Sequence, residues 1–252
     1  VLTPSRESGF GLIEIVVAAF VTAIVLGMFV MLFRSAFVRA SDNDARAISS
    51  ARLTEALDRL GDDLRSARAA PRADIASLST RDDLRTRMLA DPVRYGDVVH
   101  AAGRTFAAWT DSEADPTGPR CATYSIEQVH DDRLVWALVR RSGPPGGACP
   151  AAASEPAEVL VPLGADTPSE HVFTYGVLAQ TSASPPTCEL RTSTPSGASL
   201  TPRELLDVVS VSVDLGATAS RRLQERNSSG RGAIDVWSRL NDDYYYAIGC
   251  SL

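Results

Sequence analysis

The alternation of apolar and polar positions changes period twice along this chain. Across residues 10–33 nearly every position is apolar, and Glu14 is the one strongly polar side chain. About 20 apolar residues at 1.5 Å rise per residue cross a hydrocarbon core, so this run predicts a membrane-spanning helix. Beyond it the pattern narrows to a stripe in which Leu53, Leu57, Leu60, Leu64 and Ala67 recur at three- and four-residue steps. Arg52, Glu55, Asp58, Arg59, Asp62, Asp63 and Arg65 fill the other faces. That is the pattern of an amphipathic helix seeking a surface to pack on. The polar residues 41–44 (SDND) are a place for a kink or a new cap, and Pro71 is a stop.

After a mixed stretch, in which STRDDLRTRMLA suggests a short helix, the period becomes two. Residues 105–110 and 122–129 read as strands, HDD at 130–132 as a turn, and 133–140 as the returning arm of a hairpin. Residues 159–163, 172–178 and 234–240 are weaker strand candidates. The clearest alternation sets Val209, Val211, Val213 and Leu215 against Ser210, Ser212 and Asp214, a sheet with one wet face whose other face can cover the leucine stripe. The stretches at 142–157, 181–203 and 216–233 are rich in Gly, Pro and Ser and read as surface loops.

A carboxylate inside a bilayer costs on the order of 2.5–3.5 kcal/mol, so Glu14 needs a partner or a position near the headgroups. A secretory signal does not account for the run. It has a basic segment in front, a shorter apolar stretch and a small-residue cleavage site behind, whereas only Arg6 precedes this run. Gly9, Phe10 and Glu14, set in SGFGLIEIVVA, resemble the G-F-x-x-x-E signature of type IV prepilins and type II secretion pseudopilins. The resemblance implies that a prepilin peptidase cuts between Gly9 and Phe10 and methylates the new Phe10 amine. It also implies that Glu14 meets the amine of a neighbouring subunit during assembly, offsetting its burial by pairing. The implied organisation is a leader at 1–9, a transmembrane and assembly helix at 10–33, its amphipathic continuation at 34–70, and an extracytoplasmic β-rich head at 71–252. The implied fold is α+β and pilin-like, a long N-terminal helix packed on an antiparallel sheet. Arg34 and Arg39 fall on the side assigned outside, against the positive-inside trend, so orientation rests on the resemblance and on the cysteines.

All four cysteines, Cys121, Cys149, Cys188 and Cys250, lie in the second half. None forms a C-x-x-C pair and no histidine adjoins them, which disfavours zinc. An even count behind a membrane-targeting segment favours disulfides. Of three possible pairings, Cys121 with Cys149 and Cys188 with Cys250 is expected, because the first two flank one hairpin with its Pro/Gly loop and the others occupy a late loop and tail.

Composition changes the picture little. The 252 residues carry a net charge of −6 and are 44% hydrophobic, enough for a core and unlike the basic surface of a nucleic-acid binder. All 25 cationic side chains are Arg, to which no mechanism attaches. No nucleophile elbow, P-loop, dinucleotide fingerprint or H-E-x-x-H occurs. His100, His130 and His171 are scattered and read as surface or loop residues. NDDYYY at 241–246 is the best calcium candidate, with solvated turn acids the plainer reading. RRLQER at 221–226 is the most basic segment, read as a solvated loop before a DNA contact, and Asn227-Ser228-Ser229 has only the form of a glycosylation acceptor.

These observations point to a structural protein, not an enzyme, without cofactor or metal. It is expected to be a minor pilin or pseudopilin, single-pass in the cytoplasmic membrane and then in a filament at the cell surface. Its partners would be the prepilin peptidase, other pilins, the inner-membrane assembly platform and the membrane. A DNA-binding pilin of a competence system, or a signal-anchored extracytoplasmic enzyme, would be the alternative.

Overall fold

The computed structural model describes residues 11–67, 80–110, 119–131, 133–151, 156–164, 167–183, 186–195, 199–218 and 229–237. The chain forms two compact units, Val1–Ala45 and Arg46–Leu252. Helix α1 (Leu12–Arg65) supplies the first and enters the second. No new cap forms at 41–44, where α1 continues as one helix. Ser41, Asn43 and Asp44 are exposed on it. α1 ends at Arg65, ahead of Pro71, and Ala67 bridges to Thr110.

The second unit is α+β. Short helices α2 (Arg81–Ala90) and α3 (Pro92–Tyr95) precede a five-stranded antiparallel sheet in sequential order. Its strands are β1 (Val98–Ala101), β2 (Thr105–Thr110), β3 (Arg120–Asp131), β4 (Arg133–Ser142) and β5 (Glu158–Gly164). Thr80 caps α2, accepting from the Asp83 N–H at 3.2 Å, as an N-cap threonine should. A four-stranded sheet follows in the order β7-β6-β8-β9. It contains β6 (Phe173–Ala183), β7 (Pro186–Ser193), β8 (Val208–Thr218) and β9 (Ser229–Trp237), with α4 (Pro202–Leu205) before β8.

Three strand readings are corrected. The 181–203 stretch, read as a loop, contains β7: Pro186 opens the strand, the place in a sheet where a missing N–H is tolerated, and Tyr175↔Ser193 through Ala183↔Pro186 pair with β6. Cys188 therefore sits in a strand. The 216–233 stretch is shorter as a connection than expected, since β8 runs to Thr218 and β9 begins at Ser229, with Thr218↔Ser229 and Ser210↔Trp237 as its outer pairs. Small Gly and Ser residues there pair by backbone despite weak side-chain propensity. His100 lies half-buried in β1, not in a loop.

One core joins α1 and both sheets. Leu53, Leu57, Leu60 and Leu64 face Phe106, Tyr124, Ile126 and Leu138 of the first sheet and Phe173, Tyr175, Val211 and Val213 of the second. The alternation read in β8 is realised, with Val211, Val213 and Leu215 buried while Asp214 is exposed; Ser210, however, is also buried. The Phe106 ring lies 6.1 Å from both Phe173 and Tyr175, the spacing of productive aromatic pairs. Gly103 makes the close approach between the sheets possible. Its carbonyl accepts from Val172 and Phe173, and a Cβ there would lie 2.0 Å from the Glu170 carbonyl oxygen.

Leu60 is fully buried at the centre of the stripe. Leu60→Ala is expected to lower the unfolding free energy by about 2–5 kcal/mol. Urea denaturation of the full chain in detergent reads this, and a loss below about 0.5 kcal/mol, the range of surface changes, would contradict it.

Candidate assembly and processing site

Glu14 is the third residue of α1, exposed in the first turn. Its Oε2 accepts the Gly11 N–H at 3.1 Å. A helix start leaves four N–H groups unpaired, and a glutamate at this position reaches back to one of them, the carboxylate half of a capping box. The carboxylate also lies at the positive end of the helix dipole. Gly9 and Phe10 lie outside the described residues.

From Leu12 onward the helix is apolar around its circumference. Leu12, Ile13, Val16, Phe20, Val25, Phe29 and Phe33 are all exposed, and none of the most apolar window is buried. A helix greasy on every side belongs in lipid or inside a larger assembly. Its few hydroxyls are satisfied within the helix: Thr22 Oγ1 donates to the Ala18 carbonyl at 2.7 Å and Ser35 Oγ to Leu32 at 2.9 Å. Polar groups in a bilayer must be paired internally in this way.

In the second unit the helix is fastened by ions as well as leucines. Asp63 Oδ2 accepts from Arg140 Nε at 2.8 Å and from the Tyr124 hydroxyl. Arg59 reaches Glu158 at 2.6 Å on β5. Burial first, then Asp63, pushes the Tyr124 hydroxyl well above its ordinary range. Burial works against the Arg140 cation, but the hydrogen bonds and charges of Asp63 and Tyr124 together outweigh it and hold the group charged. On the other face of the first sheet, Arg141 is buried and grips Glu127, with Nη2 to Oε2 at 2.8 Å and Nη1 to Ser125 Oγ at 3.0 Å. Sequence reasoning missed both clusters. The signal was the adjacent pair Arg140-Arg141 in a strand, where period two sends neighbours to opposite faces, so each cation needs its own acid.

Cys121 and Cys149 are joined by a disulfide with Cα atoms 4.9 Å apart. It lies against Trp109 and Ala107 and draws the Pro/Gly loop onto β3, where Gly143 donates to the Cys121 carbonyl at 2.8 Å and Thr123 Oγ1 to that of Pro150 at 2.9 Å. Cys188 is disulfide-bonded as well; Cys250 lies outside the described residues, as do the candidate calcium segment and RRLQER. Among the described residues no three His, Cys, Asp or Glu side chains gather as a metal site would.

Residues 4–30 match the family model of the prokaryotic N-terminal methylation motif, and the chain is prepilin-like in that segment. The match covers Gly9, Phe10, Glu14 and most of the apolar run, and leaves residues 31–252 unassigned. No curated protein and no solved structure matches the chain.

One titratable group in the head sets a pH dependence. Burial pushes the Asp207 carboxyl up to about 6, with Arg203 drawing it down and Glu204 adding to the rise. The folded state therefore holds this proton more tightly than the unfolded state. Its contribution to stability is full below about pH 4 and is lost as pH rises through 6. Asp207→Asn is expected to stabilise the fold at pH 7 by about 1 kcal/mol, discounting for partial exposure, and to change little at pH 4. Denaturation at both pH values tests this; an equal effect at each would refute it.

Proposed function

We propose that this chain is a minor pilin or pseudopilin subunit. On this reading it is held in the inner membrane by α1, cut between Gly9 and Phe10 by the prepilin peptidase and methylated on Phe10. It is then taken up through α1 into a type IV pilus or a type II secretion-like filament. The observation that carries the reading is the coincidence at the helix start. The methylation motif falls on a helix apolar around its whole circumference, with a single carboxylate in the first turn.

A charge there is costly in lipid. The Gly11 N–H compensates it only partly, because a carboxylate has about four acceptor sites. A cation delivered by another subunit supplies what is missing, and the amine created by cleavage before Phe10 is a cation of suitable chemistry. The disulfides favour an oxidising compartment for the head, on the far side of the membrane from a leader that remains inside. The head is read as a binding or packing surface and not as a catalyst.

Two substitutions separate processing from assembly. Gly9→Leu is expected to leave an uncut chain, whereas Glu14→Gln is expected to be cut at Phe10 and to insert normally yet enter filaments at least tenfold less. Removing one partner of a buried ion pair costs about 3–5 kcal/mol. Mass measurement of the mature N-terminus, together with the ratio of sheared-filament to membrane protein, reads both effects. A Glu14→Gln chain incorporated as well as the parent would discard the pairing role, and a parent chain still intact ahead of Phe10 in cells with active peptidase would discard the processing.

A further inference from the structure

Arg34 is the first charge that α1 carries after Glu14. They are 20 residues apart, about 30 Å along a helix, which matches the hydrocarbon thickness of a bilayer. With Glu14 at one boundary, Arg34 therefore stands at the other. The two side chains leave the hydrocarbon on different terms. The Cα–Cβ bonds of a helix tilt toward its N-terminus, so Glu14 leans outward, to the Gly11 N–H. Arg34 leans inward, its stem over the turn below. It is exposed, and among the described residues no hydrogen bond or ion pair reaches it.

Arg34 also lines a groove. Leu26, Val30, Arg34 and Val38 follow at steps of four and make one ridge, and Phe29, Phe33 and Phe37 make the next, with the first two rings 5.5 Å apart. Rows of this spacing are the surface into which a neighbour packs. Here the surface is apolar except at Arg34, and that exception selects the occupant. An apolar helix laid in the groove covers the guanidinium without a counter-ion, which is costly. A second α1 at the same height brings no acid either, since Glu14 lies 20 residues below Arg34 and Asp42 eight above, about 30 and 12 Å away. A phospholipid brings both parts at the right level. Its acyl chain suits the groove, and its phosphate oxygens match the forked N–H donors of an arginine. Arg34 and Arg39, the only charges of α1 between Glu14 and Asp42, are both positive, which favours a lipid of net negative charge.

We propose that Arg34 and the groove below it bind an anionic phospholipid, with the phosphate on the guanidinium and an acyl chain between the two ridges, and that this lipid fixes the depth of α1 in the membrane. The site rests on the membrane-spanning part of the proposed function and is independent of the filament.

The test places the full chain in phosphatidylcholine vesicles that hold a trace of phosphatidylglycerol with a photoreactive acyl chain. Adducts mapped by mass spectrometry are expected on the two ridges, about fivefold more than when phosphatidylcholine carries the same reactive chain. Arg34→Gln is expected to lower the phosphatidylglycerol adduct about fivefold. Arg34→Lys is expected to keep it within about twofold, because a lysine still binds phosphate as a point charge. Arg39→Gln, about 140° round the helix from Arg34, is expected to leave it within the same range. On the unsubstituted chain, unlabelled phosphatidylglycerol is expected to compete and inorganic phosphate not to. Adducts spread evenly around the helix, equal labelling by both lipids, Arg34→Gln labelled like the parent, competition by inorganic phosphate, or chain dimers that exclude the lipid would each overturn the site. If alkaline carbonate strips the unsubstituted chain from the vesicles, the membrane-spanning reading fails too; if the chain resists carbonate and labels without regard to Arg34, the lipid site alone fails.

Discussion

One helix must keep apolar side chains out of water in two different ways, and the rest of the structure follows from that constraint. Over its first turns α1 is apolar all round, so no single packed face can shield it and only lipid or a ring of similar helices can. Over its last four turns the apolar positions contract to the stripe of Leu53, Leu57, Leu60 and Leu64, which a single protein surface covers. Each of these leucines gains roughly 1.5–3 kcal/mol when buried. Neither sheet alone encloses the stripe, and the shared core of α1, β2–β4, β6 and β8 is the arrangement that does.

Packing leucines onto a sheet is non-directional, so on its own it leaves the helix free to slide by a turn. Asp63 removes that freedom. Its carboxylate meets the Arg140 guanidinium and the Tyr124 hydroxyl where β3 and β4 pair Tyr124 with Arg140, and a one-turn slip would take away the acid closest to a largely buried cation, leaving it the longer contact to Glu158 at 3.9 Å, a loss that costs stability. The two flanking arginines of the hairpin divide the work: Arg140 fixes the helix on one face of the sheet, and Arg141 with Glu127 and Ser125 satisfies the other.

The helix and its two regimes were legible because their signals are local and periodic. A run of apolar residues and a leucine stripe at three- and four-residue steps survive any tertiary context. So did the strands with strong alternation, β2, β3, β4 and β8. β7 was not legible, since PTCELRTS lacks an apolar face and becomes a strand only because β6 offers its edge. β9 was displaced for the same reason, its first half being Gly and Ser held by β8. The polar residues 41–44 misled in the opposite direction: in an exposed helix with strong segments on both sides, poor propensity costs a few tenths of a kcal/mol per residue, too little to break it. At the site, Glu14 stood out because one charge in an apolar run is conspicuous, whereas Asp63 was hidden among the acids of an amphipathic helix.

The position of Glu14 within its turn reconciles two demands that otherwise conflict. A carboxylate in a membrane helix has to be tolerable before any partner arrives, yet unsatisfied enough to select one. Anywhere deeper in the span it would find only helical N–H groups already committed to carbonyls. In the first turn it finds a free N–H, that of Gly11, and the positive end of the helix dipole, and there the side chain stays exposed to approach. The bond from the neutral Gly11 N–H to a carboxylate is worth roughly 1.5–3 kcal/mol, as hydrogen bonds to a charged group are, and a cationic donor adds the attraction of a second charge. A cation that reaches Glu14 therefore gains over the internal cap, and the difference between these two partners, not the full cost of burying a charge, is what drives the exchange on the proposed reading.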